Sequence, residues 1–124
     1  MTSPQQSLRK RFLAEISQGN DQINLAAAAL MVAREEYRQL PEDRYLSELD
    51  LLAEETRDRL DEETAPLFVL QELLNTLYTR HGFRGNREAY YDPRNSFLND
   101  VLDRKLGIPL TLGIVVLEVG WRLG

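Results

Sequence analysis

The side chains that could carry chemistry in this chain are few, and most lie between His81 and Thr111. The 124 residues contain one histidine and no cysteine. A thiol nucleophile, a Cys-ligated zinc ion and a disulfide are therefore excluded within them. His81 stands at the end of a helical pattern, where a helix-terminal cation or a packing residue is more typical than a catalytic base. One histidine cannot form a metal cluster, so we predict no metal-ligating residue. We also predict no catalytic and no cofactor-binding residue.

The segment Asp92-Pro93-Arg94-Asn95-Ser96 is a strong turn signal. Proline favours an extended backbone at the preceding residue, so the Asp92 carboxylate can accept hydrogen bonds from nearby N–H groups. Asn95 or Ser96 can cap the helix that follows. The candidate carboxylate partners of Arg94 are Asp92, Asp100 and Asp103. The segment is either a loop braced by its own hydrogen bonds or a contact for a ligand or partner, and the sequence favours the brace.

Other polar and aromatic residues flank this turn. Gly85-Asn86-Arg87 is only superficially like a phosphate loop, because the glycine spacing and the Lys-Ser/Thr ending are missing. Tyr90 and Tyr91 either stack on a partner or hold the loop against the core. No base can be assigned to the hydroxyl of Thr111, so we expect this residue to cap the first turn of its helix. The candidate partner or ligand contacts are Arg84, Asn86, Arg87, Tyr91, Asp92, Arg94, Asn95 and Thr111.

Apolar residues at helical spacing predict that an all-α fold of about five to six helices positions these residues. The predicted helices cover residues 7–19, 22–39, a segment from Pro41, 64–81, 96–105 and 109–123. Asn20 or Asp21 is expected to cap the second helix, and Thr64 the fourth. Gly82 is expected to end the fourth helix in the left-handed conformation. No segment alternates cleanly enough to predict a strand. We predict a single helical domain or fragment, with a bundle over 1–82, an ordered loop over 83–95 and two helices over 96–124.

Two of the predicted helices are rich in apolar residues. In the fourth helix, the residues expected to face inward are Leu67, Phe68, Leu70, Leu73, Leu74, Leu77 and Tyr78. In the last helix, apolar residues cover almost the whole circumference, which is typical of a helix buried on every side. The preceding helices alone would not cover it. We therefore expect either that the chain is a fragment or that a partner chain covers the remaining face, and self-association through this helix is plausible.

The charge and hydropathy of the chain narrow its partners and its location. The net charge is −5, which argues against binding driven by nucleic-acid phosphates. No apolar run is long enough to span a membrane and the N-terminus has no signal-peptide core, so we expect a soluble cytoplasmic protein. Ten of the twenty acidic residues lie between Pro41 and Thr64. They form either an acidic docking surface or, as is more common, a solvated helix face.

Five stretches carry a resemblance to a known family. They are Ala33-Arg34-Glu35-Glu36-Tyr37, Gly82-Phe83-Arg84-Gly85-Asn86-Arg87, Tyr90-Tyr91-Asp92-Pro93-Arg94-Asn95-Ser96, Asn99-Asp100-Val101-Leu102 and Gly107-Ile108-Pro109-Leu110-Thr111-Leu112. With them the chain resembles the SirB-type, transglutaminase-like family of bacterial proteins. The resemblance implies the helical N-terminal portion of a transglutaminase-like (papain-like) domain, with the sheet part absent from this chain. It also places the cysteine of active relatives on Pro109, which has neither a nucleophile nor an N–H group.

The resemblance and the missing cysteine together predict a non-catalytic transglutaminase-like domain that serves as a protein interaction or regulatory module. The expected partner is a protein of unknown identity, and neither nucleic acid nor a membrane is expected. One alternative is a hydrolase or acyl-transfer enzyme that uses Asp92, Asp103 or Thr111 and needs a base from further along the parent protein. Another alternative is a structural scaffold for a downstream domain.

Overall fold

The computed structural model describes Gln6, Lys10, Arg11 and residues 24–124. Within these residues, five α-helices surround one apolar core. They are α1 (Leu25–Arg34), α2 (Glu42–Leu60), α3 (Pro66–Leu74), α4 (Leu98–Arg104) and α5 (Pro109–Leu123). A π-helix (Asn75–Arg80) continues α3, a 3-10 turn (Pro93–Ser96) precedes α4, and two short strands, β1 (Arg84–Gly85) and β2 (Leu106–Gly107), form a parallel pair. The all-α prediction is confirmed, with this two-residue sheet as an addition.

The helix predicted for residues 7–19 lies outside the described residues, apart from Lys10 and Arg11, which are helical. The helix predicted for 22–39 is shorter than expected. Its cap is Asn24, whose side chain accepts a hydrogen bond from the Ala27 N–H at 3.0 Å. It ends at Arg34, and beyond this end the Tyr37 N–H donates to the Ala33 carbonyl oxygen at 2.9 Å while its ring packs edge-to-face on Phe97 at a centroid distance of 5.8 Å.

Helix α2 begins as predicted, immediately after Pro41, with Glu42 and Asp43 in its first turn. Its buried stripe consists of Tyr45, Leu49, Leu52, Ala53, Thr56 and Leu60. This spacing is that of one helical face turned towards the core. Many of its acidic residues are exposed, among them Asp43, Glu54 and Asp58, as both a solvated helix face and an acidic docking surface require.

Helix α3 contradicts the predicted inward stripe. Leu73 and Leu77 are buried, but the side chains left exposed are Leu67, Phe68, Leu70, Leu74 and Tyr78. The apolar stripe on α3 is wider than the surface with which α2 and α5 contact this helix. Only the part of the stripe that faces those two helices is therefore buried. Thr64 is not its cap either: the N-cap is Ala65, which makes no side-chain hydrogen bond.

The end of this helical segment is as predicted. Gly82 has a φ of +73°, the left-handed conformation that glycine adopts at the end of a helix. Beyond it the chain enters β1, which pairs with β2 in the register Arg84 to Leu106 and Gly85 to Gly107. A two-residue strand is too short to show the alternation of apolar and polar residues by which strands are predicted. The pair fixes the loop that follows to the chain just before α5.

Helix α5 has the predicted bounds, but it is not buried on every side. Leu112, Val115 and Val119 face the core, whereas Leu110, Leu117 and Trp121 are exposed. Among the helices of the described residues, none is both long and apolar enough to cross a membrane.

A charged side chain of α5, Glu118, is buried and 4% exposed. Its Oε1 accepts a hydrogen bond from the Ala26 N–H at 2.6 Å, and its Oε2 accepts one from Arg122 Nη1 at 2.6 Å. A carboxylate therefore meets the free N–H groups and positive potential at the start of α1. Burial alone lowers the pKa of Arg122, but hydrogen bonds to Asp50 and Glu118 raise it above its ordinary value.

Candidate functional site

The loop from residue 84 to residue 95 and the start of α5 form one structural unit. The Thr111 hydroxyl donates to the Asn95 carbonyl oxygen at 2.7 Å, and the Asn86 N–H donates to the Gly107 carbonyl oxygen at 2.9 Å. The structure thus brings together three of the predicted contact residues, Asn86, Asn95 and Thr111, and all three are buried.

The side chain of Asn95 holds the loop together from inside. Its Nδ2 donates to the carbonyl oxygens of Ala89 at 2.8 Å and Tyr90 at 2.9 Å. Its Oδ1 accepts from Asn86 Nδ2 at 3.0 Å, and Asn86 Oδ1 in turn accepts from the Ala89 N–H at 3.0 Å. The two amides satisfy backbone groups that would otherwise be unpaired in the loop. Within this chain they serve as a brace, and both residues are buried.

Thr111 has the predicted capping role. It is the third residue of α5, and its Oγ1 accepts a hydrogen bond from the Ile108 N–H at 3.2 Å. A Cβ built on Gly107 would stand 2.8 Å from this oxygen, so only glycine allows the approach. Since the hydroxyl proton is directed at the Asn95 carbonyl, the oxygen is tied into the brace.

The remaining predicted contacts point outward. Arg84, Arg87 and Arg94 are exposed, and Tyr91 is 92% exposed. The Tyr91 ring is fixed on one side by an edge-to-face contact with Tyr90, with centroids 5.3 Å apart. A shallow cleft of about 430 Å³ lies beside β1 and is lined by Arg84, Gly85, Asn86, Arg87, Glu88 and Leu106. The predicted site therefore divides into a buried brace and an exposed face.

Asp92 links the two sets. Its Oδ1 accepts from the Arg94 N–H at 3.0 Å, and its Oδ2 accepts from Arg94 Nη2 at 2.6 Å, while Arg104 lies 3.7 Å away. Of the three carboxylates considered for Arg94, Asp92 is the partner. The predicted caps of α4, Asn95 and Ser96, are wrong, because both belong to the 3-10 turn and the N-cap is Phe97.

Replacing Arg94 by glutamine is expected to raise the pKa of Asp92. Hydrogen bonds from Arg94, first from its side chain and then from its backbone, lower this pKa from 3.8 to about 2. Since the folded pKa is below the ordinary value, the pairing stabilises the loop above about pH 4 and is lost as the pH falls further. The measurement is a carboxyl-carbon NMR titration, with Arg59→Gln on α2 as the control. An unchanged Asp92 midpoint would show that Arg94 is not its partner in solution.

His81 lies outside this unit. Its Nε2 is 2.6 Å from Glu55 Oε2, which ties the end of the π-helix to α2. In the part of the chain that the structure describes, no group of three or more His, Asp and Glu side chains is placed to hold a metal ion.

A second polar cluster, on α4, was not predicted from the sequence. The Tyr37 hydroxyl donates to Asp100 Oδ2 at 2.6 Å, and the Tyr45 hydroxyl donates to Asp103 Oδ2 at 2.7 Å. The hydrogen bond to Asp100 is the main cause of a raised pKa at Tyr37. Burial, followed by the bond to Asp103, raises the pKa of Tyr45 to about 12. The spacing of the two aspartates, which puts them on one side of a helix, was the available signal.

Comparison with known proteins adds a family and a set of relatives. A family profile described as the transglutaminase-like superfamily matches residues 43–124. A UPF0162 protein of Xylella fastidiosa is 34% identical over 105 residues, which cover 85% of this chain and 37% of the relative. A UPF0162 protein of Vibrio cholerae is 46% identical over 54 residues, covering 44% of this chain and 20% of the relative. F-box only protein 21 of Mus musculus is 38% identical over 56 residues, covering 45% of this chain and 9% of that protein.

The chain thus spans little more than a third of the length of the Xylella relative. No solved structure matches it significantly.

Proposed function

Because the chain belongs to the transglutaminase-like superfamily but carries no cysteine, we propose that it is a non-catalytic member that acts as a protein interaction or regulatory module. The exposed face of the loop from residue 84 to residue 95 contacts the partner. The proposal includes a place in the SirB-type branch of the superfamily and a cytoplasmic location. The partner is a protein, neither nucleic acid nor a membrane.

The observation that carries the proposal is the pairing of an exposed aromatic side chain with a rigid loop. Tyr91 is 92% exposed, yet the backbone beside it is held by the buried Asn95 amide. Tyrosine and arginine are enriched among the residues that dominate binding energy at protein interfaces. A loop that is already ordered loses little conformational entropy on binding. An exposed tyrosine on a braced loop therefore has the properties of an interface anchor.

The charge of this face indicates the chemistry of the partner. In the described part of the chain, no ion pair involves Arg84 or Arg87, and both are exposed. With Glu88, which lines the same cleft, they leave a small excess of positive charge on a chain whose net charge is −5. Complementary potentials favour partner surfaces of the opposite sign. We therefore expect the contacting surface of the partner to be acidic.

The enzyme alternative receives less support from the same contacts. The Thr111 hydroxyl donates to the Asn95 carbonyl, and Asp92, with a pKa of about 2, is a weak base held by Arg94. Pro109, the position that the family resemblance equates with the catalytic cysteine, is the first residue of α5. A cysteine-independent hydrolase or acyl-transfer activity would need further groups from the parent protein. The scaffold alternative is compatible with the buried brace and predicts no dependence on the exposed side chains.

The test is photocrosslinking in cells that express the intact parent protein. A benzophenone amino acid replaces Tyr91, and in a control it replaces Leu51, an exposed apolar site on α2. We expect a discrete product from the Tyr91 position alone, and a weaker one when Arg87→Glu is added. A product of twice the protomer mass would identify self-association, which the exposed Leu117 and Trp121 of α5 also favour. The same pattern from both positions, or no product at Tyr91, would contradict the proposal and favour the scaffold.

A further inference from the structure

A cleft separate from the loop lies between α4 and the connection from α1 to α2. Its volume is about 410 Å³, which is ample for one long side chain or a small molecule. The residues that line it are Tyr37, Arg38, Gln39, Leu40, Pro41, Tyr45, Asn99, Asp100 and Asp103. Nothing in the proposed function uses this cleft.

The polar groups on the α4 wall of the cleft are acceptors. Asp100 and Asp103 each accept one hydrogen bond from a tyrosine, through Oδ2 in both cases. A carboxylate has room for about four hydrogen bonds, so each can accept more. The Oδ1 of Asp103 has a loose ion pair with Arg44, whose Nη2 is 3.7 Å away. The tyrosine hydroxyls are already directed at the carboxylates, which fixes the carboxylate orientation and leaves acceptor capacity unused.

Asn99 provides a second, independent indication that a hydrogen-bond donor binds in the cleft. The residue lines the cleft and is 4% exposed. Its Oδ1 is shielded from solvent, and among the described residues no group donates a hydrogen bond to it. Buried amide oxygens are almost always paired, because an unpaired one loses its hydration without compensation. Because this oxygen is shielded, a ligand N–H donor reaches it when the Asn99 side chain turns towards the cleft, and that pairing would remove the penalty.

We propose that this cleft binds a guanidinium group, either as the side chain of an arginine in a peptide or as a small free guanidinium compound. The group is planar and carries five N–H donors and a positive charge, which matches a wall of one amide and two carboxylates. Leu40 and Pro41 supply an apolar surface for the methylene chain. The two lining carboxylates are partly offset by Arg38 in the lining, by Arg44 beside Asp103 and by Arg94 near Asp100. The match with a guanidinium therefore rests on its N–H donors and on charge-assisted hydrogen bonds to the carboxylates, and not on a net negative charge of the cleft.

A metal ion is a weaker candidate for the same cleft. Within the described residues no three His, Asp or Glu side chains converge on one point, and Arg44 already stands near Asp103. Divalent cations bound by oxygen ligands need several convergent oxygens at short distances. An extended planar donor can instead reach acceptors that are spread along one helix.

The test compares two ligands of the same shape and different charge. N-acetyl-arginine methylamide and its neutral citrulline analogue are titrated into the protein up to about 50 mM, with amide chemical shifts followed by NMR. We expect saturable shifts at residues 99–103 with the arginine ligand and binding about tenfold weaker with citrulline. A glycine-flanked arginine peptide and free methylguanidine distinguish the two sources. Equal binding of arginine and citrulline, or no saturable shift, would overturn the proposal.

Variants provide the second arm. Asp100→Asn keeps an acceptor for the Tyr37 hydroxyl and removes the charge, and Asn99→Ala removes the unpaired oxygen. Each is expected to weaken arginine binding several-fold, while Asp58→Asn on the exposed face of α2 leaves it unchanged. Circular dichroism checks that each variant is folded. If a variant does not fold, the comparison of arginine with citrulline on the unaltered protein still tests the proposal. Unchanged affinity in both cleft variants would assign any binding to another surface. This outcome is independent of the crosslinking result at Tyr91.

Discussion

Replacing Glu118 by alanine is expected to lower the free energy of unfolding by about 3–5 kcal/mol, as is typical when one partner of a buried ion pair is removed. The carboxylate is 4% exposed and accepts from both the Ala26 N–H and Arg122 Nη1. Its loss leaves an N–H at the start of α1 without an acceptor and deprives a largely buried guanidinium of one of its two carboxylate partners. The measurement is urea denaturation followed by circular dichroism, at constant m-value.

Two further variants separate the contributions of charge and hydrogen bonding at this position. Glu118→Gln keeps an oxygen for the Ala26 N–H, so a smaller loss of about 1–2 kcal/mol is expected. Glu54→Ala, on the exposed face of α2, is the matched control and should change stability by less than about 0.5 kcal/mol. Equal losses in the Glu118→Ala and Glu54→Ala variants would mean that the buried contacts of Glu118 are not formed in solution.

Replacing Asn95 by alanine is expected to lower the free energy of unfolding by about 2–4 kcal/mol, because several buried hydrogen-bonding groups lose their partner at once. The Asn95 side chain is 1% exposed and bonds to Ala89, Tyr90 and Asn86. Loss of the brace should also increase amide hydrogen exchange in residues 86–95, which distinguishes a loosened loop from a general loss of stability. Urea denaturation measures the free energy of unfolding, and hydrogen exchange followed by mass spectrometry measures the opening of the loop.

A side chain of the same shape as asparagine should not be enough to preserve stability at position 95. Asn95→Asp is nearly isosteric, but it places a carboxylate oxygen against the carbonyl oxygens of Ala89 and Tyr90, so a loss at least as large as that of the alanine variant is expected. Ser96→Ala, at an exposed neighbour in the same 3-10 turn, is the control and should be close to neutral. Wild-type stability and exchange in the Asn95→Asp variant would refute the brace.

Local signals predicted local structure well in this chain. The bounds of α5 follow from Pro109 at its start and the apolar run behind it, and Gly82 adopts the left-handed conformation that its place after a helix predicts. The turn at Asp92 also forms as expected, with the carboxylate bonded to the Arg94 N–H. In each case the deciding interactions lie within a few residues of one another, where sequence spacing is informative.

The errors arise where the partner is distant in the sequence. The exposed residues of α3 were predicted to face inward because their spacing shows which face of the helix is apolar. It does not show how much of that face the neighbouring helices cover. Glu118 was hidden in an apolar run, since its partner Ala26 is 92 positions away. At the candidate site, the sequence left Asn95 open between brace and contact and predicted Asn86 as a contact. Only the fold, by placing them under the loop against Thr111, assigns them to the brace.

The contact between Glu118 and the first turn of α1 also sets an order of events during synthesis. The ribosome makes Ala26 long before Glu118, and at about 5–20 residues per second the 92 intervening positions take about 5–20 s. Throughout that interval, the nascent α1 lacks the carboxylate that later meets its first N–H groups. An isolated helix of 10 residues is marginal in water. Helix α1 therefore depends on α5, and its docking has to wait until Glu118 has left the ribosomal tunnel.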